Sequence, residues 1–212
     1  MSLQGTDAYR DADGTLPALV VRAVAAARAH GFPYSCRPEQ GRLLHLLAAG
    51  APRRIAETGT GCGVGLAWLA AGARPGTRLV GVERDAERVR VARQVFHDHP
   101  EAEILHGDWR RVEEHGPYDL LVLDGGGQAK GDGAADPVRL LNPGGTLVVD
   151  DFTPATTWPP LFESAPDHPR LHWLEHPALH TTELRLAPDL ATIVGTRLPD
   201  RPATQARHSS TA

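Results

Sequence analysis

The sequence predicts a doubly wound α/β protein, its sheet mostly parallel, with an antiparallel strand near the C-terminus. Three observations carry that expectation. From Arg53 onward, short apolar runs alternate with helical segments, the order that puts parallel strands between layers of helices. The first run ends in a glycine-rich turn, Glu57-Thr58-Gly59-Thr60-Gly61-Cys62-Gly63, which opens directly into a helical segment. The last two runs, Glu183–Leu186 and Ala191–Arg197, flank the turn signal Ala187-Pro188-Asp189 and read as a terminal hairpin.

The chain before Arg53 reads as helical. Thr15 is placed to cap a helix running to about His30, with Pro17 in its first turn and Gly31 as its stop. A second helix is expected over Pro38–Ala49, ending at Gly50, with Leu43, Leu44, Leu46 and Leu47 as its buried stripe. Strand Arg54–Glu57 then leads through the glycine turn into helix Val64–Ala71. Strand Arg78–Glu83, helix Asp85–His97 and strand Glu103–His106 follow. Tyr118–Asp124 is a continuous apolar strand ending in a carboxylate, followed by a short helix at Pro137–Leu141 and strand Gly145–Asp151. These boundaries give an N-terminal helical segment, 1–52, packed on an α/β domain, 53–198. A polar tail, 199–212, has no core to join.

Composition narrows the function. At 212 residues the chain can bury roughly 70% of its unfolded surface, so it needs no disulfide or metal to hold a core. A net charge of −4 argues against a general nucleic-acid binder. Two cysteines, Cys36 and Cys62, are too few for a disulfide framework and fit a reducing compartment; Cys62 reads as small buried filler in the turn. No apolar run approaches the ~20 residues of a membrane span. The apolar stretch Leu16–Ala29 is broken by Arg22 and Arg28 and preceded by Asp7, Asp11 and Asp13, unlike a signal peptide. A cytoplasmic protein, with neither a membrane nor a nucleic-acid partner, is expected. Only one of the 22 basic residues, Lys130, is a lysine.

The glycine turn suits a carboxylate or a phosphate, because the helix after it presents free N–H groups and a positive dipole end. Spacing decides further. A dinucleotide fold wants G-x-G-x-x-G, but Val64 or Leu66 occupies the third glycine position, depending on where the count starts. No G-x-x-x-x-G-K-[ST] is present, so a P-loop is excluded. What remains is acidic-x-G-x-G-x-G.

That segment resembles motif I of the class I S-adenosylmethionine-dependent methyltransferases. Gly59-Thr60-Gly61-Cys62-Gly63 followed by Leu66-Ala67-Trp68-Leu69-Ala70 is similar to the bacterial and catechol-type small-molecule O-methyltransferases. The resemblance continues in order through Leu79–Asp85, His106-Gly107-Asp108-Trp109, Tyr118–Asp124 and Leu140–Asp151. Pro38-Glu39-Gln40-Gly41 resembles that family's N-terminal helix, and the match spans roughly residues 35 to 197. It implies a Rossmann-like sheet with ligands at the carboxyl ends of the strands, S-adenosylmethionine as cofactor, and a methyl group displaced in line onto an oxygen of a small-molecule substrate. It also implies that a homodimer is among the assemblies open to the chain.

The residues fit those roles. Glu83 ends a strand 26 positions after Glu57, where a carboxylate can take two ribose hydroxyls; Arg84 follows it. Asp108 can accept from the adenine amine and Trp109 can stack on the purine. Glu57 and the backbone of Gly59, Thr60, Gly61 and Gly63 would face the methionine part. Acidic groups suit the sulfonium cation. Asp124, at the end of its strand, belongs both to this cofactor set and, with Lys130, to the catalytic set.

In the resembled family, positions matching Asp124, Asp150 and Asp151 supply oxygen ligands to magnesium or calcium, the last often as Asn. Three carboxylates in one pocket repel each other unless a cation or protons intervene, and hard cations take such ligands. The family's strand motif continues Asp-x-x-Lys, whereas Asp124 is followed by Gly125-Gly126-Gly127-Gln128 and Lys130 stands further on in a glycine-rich loop. The base could then be a histidine or Lys130, or a metal could lower the hydroxyl's pKa. Gly65 is a second departure, since close relatives often carry Ser or Thr there. His168, His172, His176 and His180 recur every four residues, but Pro166, Pro169 and Pro177 argue against one continuous helix bearing them, and the region reads as a substrate-side rim. Two other classes stay open: an aminopropyltransferase using decarboxylated S-adenosylmethionine, and a non-catalytic subunit of the same fold that serves a partner.

Overall fold

The computed structural model describes residues 4–10, 16–124 and 133–200, and at Asp151 the backbone alone. A 3-10 turn at Asp7–Tyr9 precedes helix α1, Ala18–Ala29. Pro17 holds the N-cap of α1 and its carbonyl accepts the first helical bond from Val21 N–H (3.1 Å). The expected cap, Thr15, lies outside the described residues. Leu19, Val20, Ala23, Val24 and Ala27 form the buried face of α1, and Gly31 ends it with φ +67.

Helix α2, Pro38–Ala48, corrects the expected leucine stripe. Its buried face is Pro38, Gln40, Gly41, Leu44 and Ala48, while Leu46 is 68% exposed. The reason is the neighbour it packs on. A Cβ at Gly41 would fall 2.1 Å from the indole Nε1 of Trp68, so the helix turns its small residues, not its run of leucines, toward that ring. Trp68 belongs to helix α3, Val64–Gly72, whose Gly72 meets α2 equally closely: a Cβ there would be 2.1 Å from the His45 carbonyl oxygen.

The strands are β1 Arg54–Thr58, β2 Arg78–Glu83, β3 Ala102–His106, β4 Tyr118–Leu123, β5 Leu141–Phe152, β8 Leu179–Ala187 and β9 Leu190–Arg197. Among the described residues they make one sheet of order β3-β2-β1-β4-β5-β9-β8. The pairs from β3 through β5 are parallel; β9 joins β5 antiparallel, with Val148 opposite Val194, and β8 closes the hairpin. This is the mixed doubly wound sheet that the alternating pattern predicts. Both faces are covered, so the strands read as unbroken apolar runs: Ile55, Leu120, Val122 and Val148 face the α1–α3 layer, and Ala56, Leu121, Leu123 and Leu147 face the other side.

Helix α4, Ala86–Val95, starts one residue later than expected because Asp85 is its cap, accepting from Arg88 N–H (2.9 Å). A 3-10 turn, Trp109–Glu114, precedes β4, and the short helix α5, Pro137–Leu140, precedes β5. After β5 come a small hairpin, β6 Leu161–Phe162 with β7 Ala165–Pro166, and helix α6, His168–Leu174. Sequence reasoning missed α6 because it took the prolines as breakers. Pro169 lies in the first turn, where no N–H is required, and Asp167 caps the helix at Arg170 N–H (3.1 Å). Trp173 on α6 is fully buried against the sheet. The four histidines are thereby separated: His168 and His172 are on α6, His176 follows it, and His180 is on β8. Among the described residues no helix is long and apolar enough to cross a membrane.

Candidate active site

The strand order reverses between β1 and β4, so a crevice opens at their carboxyl ends. The Thr58 hydroxyl reaches across it to the Asp124 carbonyl (3.2 Å). The glycine turn fills one side. Gly59, Gly61 and Gly63 have φ of +71, +57 and +94, conformations that a side chain would strain. Gly59 and Thr60 anchor the turn by donating to the Val82 carbonyl (2.9 and 3.1 Å), and Gly63 caps α3. Cys62 is buried beneath the turn, with its thiol pushed up to about 11 chiefly by that burial.

Glu57 is the residue before the last of β1, with its carboxylate at the first turn of α3. Burial, then the charge of Asp124, then that of Asp150, hold its pKa well above the usual carboxylate range. Its Oε2 is buried without a hydrogen-bond partner. Its Oε1 occupies the space that a Cβ at position 65 would need, 2.0 Å away. Gly65 therefore accompanies this placement of Glu57. Asp124, 6% exposed, and Asp150, 3% exposed, bring the second and third carboxyls to the crevice from the ends of β4 and β5. The fourth titratable group is Cys36, whose thiol is pushed up by burial first and then by Glu57, Asp124 and Asp150.

Glu83 closes the next corner, at the end of β2. Its Oε2 accepts from Gly61 N–H (2.9 Å), joining it to the glycine turn, and its Oε1 accepts from Asp85 N–H (2.9 Å). The Arg88 guanidinium pairs with Oε1 (3.0 Å). A carboxylate offers about four acceptor positions, so Oε2 keeps one for a ligand hydroxyl. Arg84 is exposed beside it, its carbonyl meeting His106 Nε2 (3.1 Å).

Asp108 and Trp109 are at the rim. Asp108 is exposed and caps the 3-10 turn through Arg110 N–H (3.0 Å), and it pairs with the Arg110 guanidinium (3.1 Å). Trp109 is half-buried with that guanidinium 5.0 Å over its ring. Lys130 lies outside the described residues, as does the side chain of Asp151. Among the described residues no group of three or more His, Cys, Asp or Glu side chains is arranged to hold a metal ion.

Sequence reasoning missed the roof of the crevice, Phe32-Pro33-Tyr34-Ser35-Cys36. Phe32, Tyr34, Ser35 and Cys36 line it opposite Glu57 and Asp124. Phe32 packs on Gly61, where a Cβ would be 2.8 Å from the ring, and carries Arg88 on its face at 5.2 Å. The one available signal was an aromatic pair, Phe32 and Tyr34, in a short link between two helices.

The comparisons with known proteins agree with this geometry. A family model described as "Methyltransferase domain" matches residues 56–152, from β1 through the end of β5. A protein of Mycobacterium tuberculosis named as an O-methyltransferase is 32% identical over 155 residues, 69% of each chain. The O-methyltransferase TomG of Streptomyces achromogenes, solved with S-adenosylmethionine, superposes with a TM-score of 0.72 at 21% identity, covering 93% of this chain and 97% of its own. An O-methyltransferase from Bacillus cereus, solved with S-adenosylhomocysteine, gives 0.71 at 20% identity, covering 91% and 96%. At such identities the two superpositions speak for the fold, whereas the mycobacterial relative, aligned along more than two thirds of both chains, speaks for descent: this chain belongs to the class I S-adenosylmethionine-dependent methyltransferases, on their O-methyltransferase branch.

Proposed function

We propose that the crevice binds S-adenosylmethionine and that the chain methylates an oxygen of a small hydroxylated molecule, a phenol being the first class to test. One observation carries this reading: the Glu57 carboxylate, buried with an unpartnered oxygen beside Asp124 and Asp150, is a site that a cation would complete. The α-ammonium and sulfonium of the cofactor supply such positive charge. Glu83, tied to Gly61 N–H, is placed for the ribose hydroxyls. Trp109, with Arg110 on its face, and Asp108 form the rim where an adenine would lie.

The bound cofactor supplies a methyl group activated as an electrophile by its positive sulfur. The chain's own residues do the rest. Glu57 and Asp124 orient the methionine end, the glycine turn fixes the ribose end through Glu83, and the Phe32–Cys36 roof keeps water from the reacting centre. The acceptor hydroxyl must lose its proton as its oxygen takes the methyl group; Asp124 and Lys130 are our candidates to receive it. For magnesium or calcium the described side chains offer two neighbouring carboxylates, Asp124 and Asp150, which fall short of a three-ligand set. No step is therefore routed through a metal.

The experiment is a calorimetric titration with S-adenosylmethionine and S-adenosylhomocysteine, with magnesium and with chelator. Binding of both nucleosides without magnesium, lost in Glu83→Ala, is the expected result. Binding of neither refutes the cofactor site. A phenol that joins the complex only when magnesium is present would make Asp124, Asp150 and Asp151 a metal site after all.

A further inference from the structure

The Phe32–Cys36 roof is a strap slung between Gly31, at the end of α1, and Pro38, at the start of α2. It is held from outside by the short N-terminal segment Gln4–Arg10. Thr6 N–H donates to the Pro33 carbonyl (3.1 Å). The Thr6 hydroxyl donates to the Phe32 carbonyl (2.7 Å), shares a 2.7 Å hydrogen bond with the Ser35 hydroxyl, and accepts from Ser35 N–H (3.3 Å). Tyr9 OH donates to the Cys36 carbonyl (2.9 Å) and accepts from Trp68 Nε1 (2.8 Å). Thr6 and Tyr9 are buried, at 3% and 4% exposure. Tyr9 thus ties the far end of the strap to α3, the helix that the glycine turn opens.

The cleft beneath the strap has room for about 10 Å3, no more than a single water. Sites for drug-sized ligands run to roughly 300–1,000 Å3. Its floor, at the ends of β1 and β4 and the start of α3, is fixed by the sheet ladder and the core. A ligand therefore enters by moving the strap, and the strap moves by opening its bonds to Thr6 and Tyr9. We propose that Gln4–Arg10 is a clasp that holds the strap closed over the methionine end of the cofactor, with Thr6 and Tyr9 as positioning residues that set cofactor residence time. The proposal rests on the reading of the crevice as the cofactor site.

The test uses the full chain and S-adenosylhomocysteine, with Kd from calorimetry and release rate from stopped flow. Thr6→Val removes the hydroxyl at constant shape, Thr6→Ser keeps it, and Tyr9→Phe removes the phenol. Val20→Ala, in the buried face of α1, is a destabilising control that touches no strap bond. Thr6→Val and Tyr9→Phe are each expected to speed release roughly fivefold, the worth of one net hydrogen bond, with Kd changing less because entry is eased as well. Hydrogen exchange at Ser35 N–H should accelerate with them. Thr6→Ser should bind as wild type, and Val20→Ala should melt lower with Kd unchanged. A wild-type release rate in both Thr6→Val and Tyr9→Phe overturns the clasp alone, as does an acceleration in Val20→Ala as large as theirs. A wild-type chain that binds no nucleoside overturns the cofactor reading and the clasp together.

Discussion

Replacing Glu57 by glutamine separates the two sides of the site's electrostatics, because it keeps the side chain's shape and removes its charge. Without ligand, burial and the neighbouring charges of Asp124 and Asp150 hold the Glu57 carboxyl well above its ordinary value of 4.5. Above pH 4.5 the unfolded chain gives up that proton while the folded chain keeps it. Folding stability therefore falls as pH rises from about 4.5 toward the folded value, by about 1.4 kcal/mol per pH unit. Glu57→Gln carries no such proton. Its melting temperature should match wild type near pH 4.5 and exceed it increasingly at higher pH, by about 2–4 °C for each kcal/mol in a chain of this size. Cofactor binding should move the other way. A hydrogen bond to a charged group contributes about 1.5–3 kcal/mol, so the variant should bind S-adenosylhomocysteine roughly 10- to 150-fold more weakly. Calorimetry in two buffers of different ionisation enthalpy, at a pH between 4.5 and the raised folded value, should also show wild type releasing more protons on binding than Glu57→Gln. A variant that binds as tightly as wild type, with the same proton release, would refute the assignment of Glu57 to the cofactor's cation.

Other substitutions test neighbouring parts of the argument. Gly65→Ser places a Cβ 2.0 Å from Glu57 Oε1, so the carboxylate must move; melting should show a loss of about 1–3 kcal/mol and titration a weaker cofactor complex. Arg170→Met strips the buried guanidinium from Asp167 (3.0 Å) and Glu183 (2.8 Å), leaving two carboxylates unpaired, and should cost about 3–5 kcal/mol by denaturant unfolding. The exposed pair Arg22–Asp98 should matter little: Arg22 holds the Asp98 carboxyl down to about 2, so its contribution is present above 3.8 and lost as pH falls through 2. Asp98→Asn should accordingly differ from wild type only slightly in melting temperature, and less in high salt.

Much of the sheet and of the crevice at its carboxyl edge was legible because both depend on local signals. A parallel strand buried on both faces must be apolar throughout, so Tyr118–Leu123 announces itself, and a turn needing three left-handed residues leaves three glycines in the sequence. Glu83 was legible for the same reason: it ends a recognisable strand at a recognisable interval from Glu57. What stayed hidden depends on residues far apart in the chain. Leu46 looks like core until Trp68 arrives beneath α2 and only Gly41 fits against it. Thr6 and Tyr9 carry no motif, and they acquire a role only because α1 folds back and brings residues 32–36 to them. The same applies to Asp108: it reads as an adenine ligand by its interval, while its environment makes it the cap of the turn over Trp109–Glu114 as well.

The placement of Glu57 links these levels. Glu57 sits inside the ladder, paired with Gly81 and Val122, and its carboxyl is costly for the crevice, where two further carboxyls converge. At an effective dielectric of about 20, two like charges 5 Å apart repel by about 3 kcal/mol, a large fraction of a domain's net stability. Protonation relieves the repulsion in the empty site, and on the proposed reading the cofactor's cation relieves it in the filled one. After transfer the cofactor's sulfur is neutral, so the same carboxyls hold the product less firmly than the substrate form. Titration should therefore find S-adenosylmethionine favoured over S-adenosylhomocysteine above the pH at which Glu57 ionises. The preference should shrink in Glu57→Gln, where one of the three acids no longer distinguishes a charged sulfur from a neutral one.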